Sequence, residues 1–437
     1  MGTTWVLRRS REAIERLGGA RLVLPELVTE AWPQLRRAIG FDAGGLALND
    51  PFSNLPAEVV TDSPVYKVIE PRLWQIEFRA ADLNKFATLI QGPRRVRVLS
   101  ATAGAHDLAR STRWTELLGP VGLGDELRAA LVVDGLCWGM LCLHRDSAAG
   151  PFVVEDRRWA TAVLASLGLA ARAAWTTNPR LSPVDDGPGT LVVSDTAERL
   201  SWTPGAGRWL ARLGASGVTA VHAMTARLGA PAARLPEAAP AADALVRARD
   251  GTWVELHGER LTGPKGDIAI TLQAAHPGNV APLLMAAHGL SAREQDVVRL
   301  VLDGLSTARI AQVLFISEYT VQDHLRAIFT KVGVRTRRQL VVRMAGGSAT
   351  DADSRDGPAR EGNDTTIAAR ADLAGAGRSP SPAAGPPAAR LSPLVVPATG
   401  APPAQRPPGR TQQGVGSRAY GPVKFARQDD AADHHFP

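Results

Sequence analysis

In the stretch TVQDHLRAIFTKV at 320–332, Gln322, Asp323 and Arg326 fall within one sector of a helix. Val321, Leu325, Ile328 and Val332 take the opposite side, in the i, i+4, i+7, i+11 rhythm of a buried stripe. The polar trio has a specific chemistry. An arginine fork grips O6 and N7 of guanine, a glutamine amide pairs with adenine, and a carboxylate accepts from N4 of cytosine. Ser317, Thr320, Lys331, Arg335, Arg337 and Arg338 flank this sector. Side chains of these types hold phosphates, which sets register without reading sequence.

Other reactive residues offer less. Cys142 and His144 share a strand face at i, i+2, and no further pair at ligand spacing joins them. The segment GPKGD at 263–267 lacks the GxxxxGK[ST] spacing of a phosphate loop and reads as a hairpin turn. Asp433-His434-His435 lies in a tail with no core-forming pattern. Trp74, Trp138, Trp159 and Trp209 read as core anchors, and His324 as a packing and hydrogen-bonding residue beside the core seam. No catalytic constellation, metal site or cofactor site emerges, so the expectation is a non-enzyme.

The polar trio has to be positioned by the helices around it. Ser291 with Glu294 forms an S-x-x-E capping box that starts one helix, which Gly304 ends. Ser306 caps a short second helix carrying Ile310, Ala311 and Leu314. After the turn FIS, Ser317 caps the third helix, Gly333 stops it, and Thr336 starts a fourth through RRQLVVRM. Two helices joined by so short a turn, the second longer and followed by basic residues, make a helix-turn-helix.

The residues LSAREQDVVRLVLDGLSTARIAQVLFISEYTVQDHLRAIFTKVGVRTRRQLV closely resemble the C-terminal DNA-binding domain of LuxR-type bacterial transcription regulators. The matches are LS-x-RE, GLS, IA, ISE-x-TV-xx-HL, IF-x-KVGV and R-x-R, and they span nearly all of 288–343. Ala308-Arg309 replaces the usual basic-acidic pair of the second helix, away from the reading face. The resemblance implies that Gln322, Asp323 and Arg326 meet base edges in the major groove of double-stranded DNA. It also implies a homodimer formed through Leu340, Val341 and Met344 on the fourth helix. Two recognition helices would then stand about one DNA turn apart (~34 Å), on an inverted-repeat site.

The 437-residue chain has room for further domains beside this one. Its formal charge of +7 is mild for such a length, and its pI near 10.0 leans toward a polyanionic partner. Cys137 and Cys142 are five apart in a strand-like segment, so their thiols are expected on opposite faces, unpaired, as suits a reducing cytoplasm. No apolar run is long enough for a signal peptide or a membrane span. A cytoplasmic, nucleoid-associated protein with no membrane partner is expected.

The expected fold class is multidomain α+β. Residues 1–180 hold helices around strands near GLAL, RVRVLSA, LRAALVVDG and WGMLCLHR. Their closing segment, with W-G-x-L and then F-xx-ED, resembles the end of a GAF sensor domain. The Pro- and Gly-rich stretch 176–189 is a boundary. Residues 189–276 loosely resemble a PAS-type α+β fold, with a further boundary near HPGN (276–279). An all-α four-helix domain at 284–346 follows, then a Pro/Ala/Gly-rich tail at 347–437 expected to be disordered.

These expectations describe a sequence-specific DNA-binding regulator that takes a small-molecule or protein signal at its GAF-like domain, with RNA polymerase as a further partner. The alternative is an adaptor whose helical domain binds a protein, with Glu318 and Asp323 opposing DNA. An enzyme with the helical domain as an appendage lacks any motif.

Overall fold

The computed structural model describes residues 2–104, 107–177, 186–230, 241–248, 250–263 and 266–347, all within one unit, Met1–Ala359. The expected tail, Asp433, His434 and His435, and the GPKGD residues Pro264 and Lys265 lie outside the described residues.

Gly18-Gly19 separate two N-terminal helices, α1 (Gly2–Leu17) and α2 (Leu24–Ala38), and Pro25 sits in the first turn of the second. Strands β1 (Ala43–Asn49) and β2 (Pro56–Thr61) follow, then helices α3 (Val65–Arg79) and α4 (Phe86–Gln91). Next come β3 (Val96–Val98), α5 (Leu99–Ala103), the long hairpin β4 (Leu123–Val133) and β5 (Leu136–Asp146), and helix α6 (Val154–Ala174). Asp134 and Gly135 close the hairpin, both at positive φ, as a two-residue turn that matches strand twist requires. The sheet is antiparallel throughout, in the order β2-β1-β5-β4-β3.

One expectation is corrected in this hairpin. Cys137 and Cys142 pack into the same cluster, with Met140, Ala130 and Phe86. Val132 pairs with Cys137 and Leu131 with Gly139, so Trp138 is an extra residue in β5. This bulge resets the side-chain alternation. Trp138 then points with Leu141 and Leu143 into the helix-covered core, while both thiols face the other layer. Both cysteines are buried and free, and burial, the largest influence on each, pushes each thiol up to about 12.

That second layer carries a buried ionic network. Arg113 binds Asp82 at 2.7 Å and Glu126 at 2.7 Å, and Arg128 binds Glu126 at 3.0 Å and Glu77 at 2.6 Å. His144 lies between Tyr66 Oη at 2.8 Å and Glu126 Oε1 at 3.3 Å, so its strand-face partner is this network. Burial would raise the Glu126 carboxyl, but Arg113 and Arg128 hold it well below the usual range.

Strands β6 (Gly189–Val193) and β7 (Arg199–Trp202), helices α7 (Pro204–Leu213) and α8 (Ala215–Leu228), and strands β8 (Ala241–Arg247), β9 (Trp253–Arg260) and β10 (Ile268–Ala274) form the second module. Its antiparallel sheet runs β7-β6-β10-β9-β8. Counted within each module, both sheets have the order second, first, fifth, fourth, third. The two modules therefore share one strand arrangement despite unlike sequences.

Five helices complete the described chain: α9 (Pro277–Ala287), α10 (Ala292–Leu302), α11 (Thr307–Leu314), α12 (Glu318–Val332) and α13 (Arg337–Met344). The expected boundary at HPGN is the start of α9, where His276 caps Gly278 N–H at 3.1 Å. One hydrophobic core runs unbroken from Ile14 to Met344 through all three regions. At their meeting point Trp175, at the end of α6, stacks on Trp253 of β9, with centroids 5.7 Å apart and planes 10° apart. Arg247 donates to the carbonyls of Ala174, Trp175 and Thr177 at 3.0, 3.3 and 2.6 Å, which closes the end of α6.

Candidate nucleic-acid interface

The four helices α10 to α13 are built from local signals. Ser291 N–H donates to Glu294 Oε2 at 2.7 Å and Glu294 N–H to Ser291 Oγ at 3.3 Å, a reciprocal capping box. Ser306 caps α11, Ser317 caps α12 and Thr336 caps α13, each accepting from the N–H three residues on. Gly333 ends α12 at φ +75, a left-handed position that side chains with a Cβ resist. Val321, Leu325, Ile328 and Val332 are buried, as their spacing requires.

The opposite side of α12 is open. Gln322, Asp323 and Arg326 are exposed, and Tyr319 stands three, four and seven residues before them on the same side, 68% exposed. Sequence reasoning passed over Tyr319, although its spacing to the trio was there to be read. Phe315, in the turn before α12, is 95% exposed and adopts φ +55. Arg326 Nη1 donates to Asp323 Oδ1 at 2.6 Å. His324 is half-buried beside the seam.

The flanking residues divide. Arg335 and Arg338 are exposed, with Arg335 N–H held by Gln339 Oε1 at 2.8 Å. Ser317 and Thr320 join hydroxyls at 2.8 Å in the α12 cap. Lys331 and Arg337 also make contacts within the domain. Lys331 Nζ binds the enclosed Glu294 at 2.6 Å, and Arg337 Nη2 donates to the Leu305 carbonyl. Lys331 ties α12 to α10, and Arg337 ties α13 to the turn between α10 and α11. Burial alone would raise the Glu294 carboxyl, but the hydrogen bonds from Lys331 and Ser291 outweigh it and hold it below its ordinary range.

The residues of the expected pairing surface are largely enclosed within the chain. Leu340 and Met344 have no exposed area, and Val341 is half-buried against the same core. The apolar helix α9, with Val280, Leu283, Leu284 and Met285 buried, packs beside α13, as do α10 and α12. Beyond α13, a Cβ on Gly346 would lie 2.8 Å from Trp253 Cδ1 and 2.9 Å from its Nε1. The chain therefore seats its glycine directly on the indole where the modules meet.

Hollows occur upstream among the described residues. One, about 50 Å³, lies against the first sheet and is lined by Tyr66, Trp74, Phe86, Arg128, Met140 and Cys142 among others. Another, about 530 Å³, is an open cleft between α3 and the β6–β7 turn, lined by Arg72, Gln75, Arg79, Asp195 and Thr196 among others. No group of three or more His, Cys, Asp or Glu side chains able to hold a metal ion occurs among the described residues.

A capped, tightly turned helix pair with one open polar face defines a helix-turn-helix domain. The family described as "Bacterial regulatory proteins, luxR family" matches residues 288–344. The spore germination protein GerE of Bacillus subtilis is 42% identical over 55 residues, which cover 13% of this chain and 74% of that protein. The chain belongs to this luxR family of bacterial regulatory proteins. Proteins named as HTH-type transcriptional regulators in Mycobacterium bovis and Mycobacterium tuberculosis are 52% identical over 52 residues. The match spans 12% of this chain and 6% of the length of those relatives. Among solved structures, the chromophore-binding domain of a bacteriophytochrome from R. palustris is 21% identical, over 39% of this chain and 62% of that chain, with a TM-score of 0.25. Escherichia coli SdiA is 14% identical, over 77% of this chain and 95% of that chain, with a TM-score of 0.27. At these scores the likeness fixes no fold for the upstream region. No helix among the described residues is long and apolar enough to cross a membrane.

Proposed function

We propose that this chain is a sequence-specific DNA-binding transcription regulator, with α12 as its recognition helix in the major groove. The observation that carries this reading is the open face of α12, with Gln322, Arg326 and Tyr319 exposed on a helix whose other side is fully buried. Arg335 and Arg338 serve as phosphate anchors, with the capped N-terminus of α12 as a further anion-seeking feature. Lys331 and Arg337 each spend one N–H inside the domain, on Glu294 and on the Leu305 carbonyl, and keep further donors for phosphate.

Two copies would bind an inverted repeat. Leu340 and Met344 are already buried within one copy, so of the three expected pairing residues only the half-buried Val341 has surface to offer a second copy without rearrangement. The upstream modules, GAF-like and PAS-like by sequence resemblance, act as sensors, and RNA polymerase is the partner a regulator addresses. A small organic signal needs a pocket of roughly 300–1,000 Å³. The hollow of about 50 Å³ on the first sheet is too small unless α3 shifts, so the 530 Å³ cleft between the modules is the better-sized site.

A gel-shift titration with Arg326→Ala tests the reading. The substitution is expected to cost roughly 1–3 kcal/mol and to relax discrimination at one base pair. Unchanged binding across sequences after the substitution would contradict base reading, and no salt-dependent DNA affinity at all would favour the adaptor alternative.

A further inference from the structure

Asp323 and Arg326 stand one helical turn apart, joined Nη1 to Oδ1 at 2.6 Å, with side chains 48% and 67% exposed. In water such a pair adds little stability. Against a duplex its consequences are larger. A lone carboxylate on the reading face would be repelled by the phosphates, whereas a paired one is neutralised. The guanidinium has five N–H donors, so one spent on Asp323 leaves Nη2 and Nε for a two-bond grip on guanine. Arginine also carries much rotamer freedom, which a fixed partner removes before binding. The exposed face then presents one aimed fork beside Gln322, with its charge cancelled.

We infer that Asp323 is a positioning residue: it aims Arg326 at guanine and suppresses indiscriminate DNA affinity, and does not itself read cytosine. This rests on the DNA-reading proposal above. Both side chains are exposed, so variants at either position keep the core intact.

The experiment selects a preferred duplex from a random library with the full chain. It then measures Asp323→Ala, Arg326→Ala and the double variant on that duplex, on single-base variants and on an unrelated duplex. Asp323→Ala is expected to weaken the guanine preference at least about fivefold. It should also bind the unrelated duplex more tightly, with a salt slope steeper by about 0.9, because one arginine charge is freed. The double variant should discriminate no worse than Arg326→Ala alone. Loss of preference at a cytosine, with the guanine preference intact, would overturn the inference and leave the DNA-reading proposal standing. A wild-type chain with no sequence preference would overturn both.

Discussion

Phe315 stands where an aromatic residue is costly. Its backbone is left-handed at φ +55 and its ring is 95% exposed, so it buries almost nothing in exchange. Phe315→Gly should therefore raise thermal or chemical stability by about 1 kcal/mol. On the proposal that the turn lies against DNA, the same variant should bind its duplex more weakly. Unchanged affinity would show that the ring takes no part in binding. At this scale the sequence was readable for whatever helical periodicity governs. The buried stripe at Val321, Leu325, Ile328 and Val332 and the open face at Gln322 and Arg326 both follow from spacing alone. The partners of Lys331 and Arg337 did not follow, because Glu294 and Leu305 lie 37 and 32 positions away and nothing local points to them.

Among the elements, the joint between α9 and α10 carries a pH dependence. His288 is enclosed there, and burial first, then the charges of Arg343, Arg21 and Arg172, push it down to about 4. A backbone hydrogen bond with Lys331 opposes the shift. These groups come from α13, the α1–α2 loop, α6 and α12. The unfolded chain takes up this proton near pH 6.5, while the folded chain resists until about 4. Stability should thus be fully present above about 6.5 and fall progressively toward 4. Denaturant titrations of the full chain at several pH values would show it, and His288→Asn should flatten the fall within that window. An unchanged slope would place the acid sensitivity elsewhere. Elements with local start and stop signals were legible, as the Ser291–Glu294 box and Gly333 illustrate. The Trp138 bulge was not, because the residue that breaks the alternation is fixed by pairing with β4. Helix α3 was also missed, with Pro71 inside it interrupting the usual pattern.

For the whole molecule, the continuous core is the governing fact. The helix-turn-helix domain is docked, through α9 on α13 and through Gly346 on Trp253. Gly346→Leu meets the indole and a backbone at φ +89, which alone costs about 1–2 kcal/mol. It should loosen the docking, seen as faster proteolysis within 276–291 while helix content is retained. Wild-type protease resistance would mean that the seat does not hold the domain. Neither this docking nor the shared strand order of the two upstream sheets was visible beforehand. Both are long-range pairings, which nothing local in the sequence specifies. The central claim is that the open face of α12 reads DNA. Its most direct test is equilibrium binding of the full chain to a library-selected duplex and to a shuffled one, between about 50 and 200 mM salt. The account predicts tighter binding to the selected duplex, with both affinities falling as salt rises. No salt-dependent affinity for either duplex would contradict it.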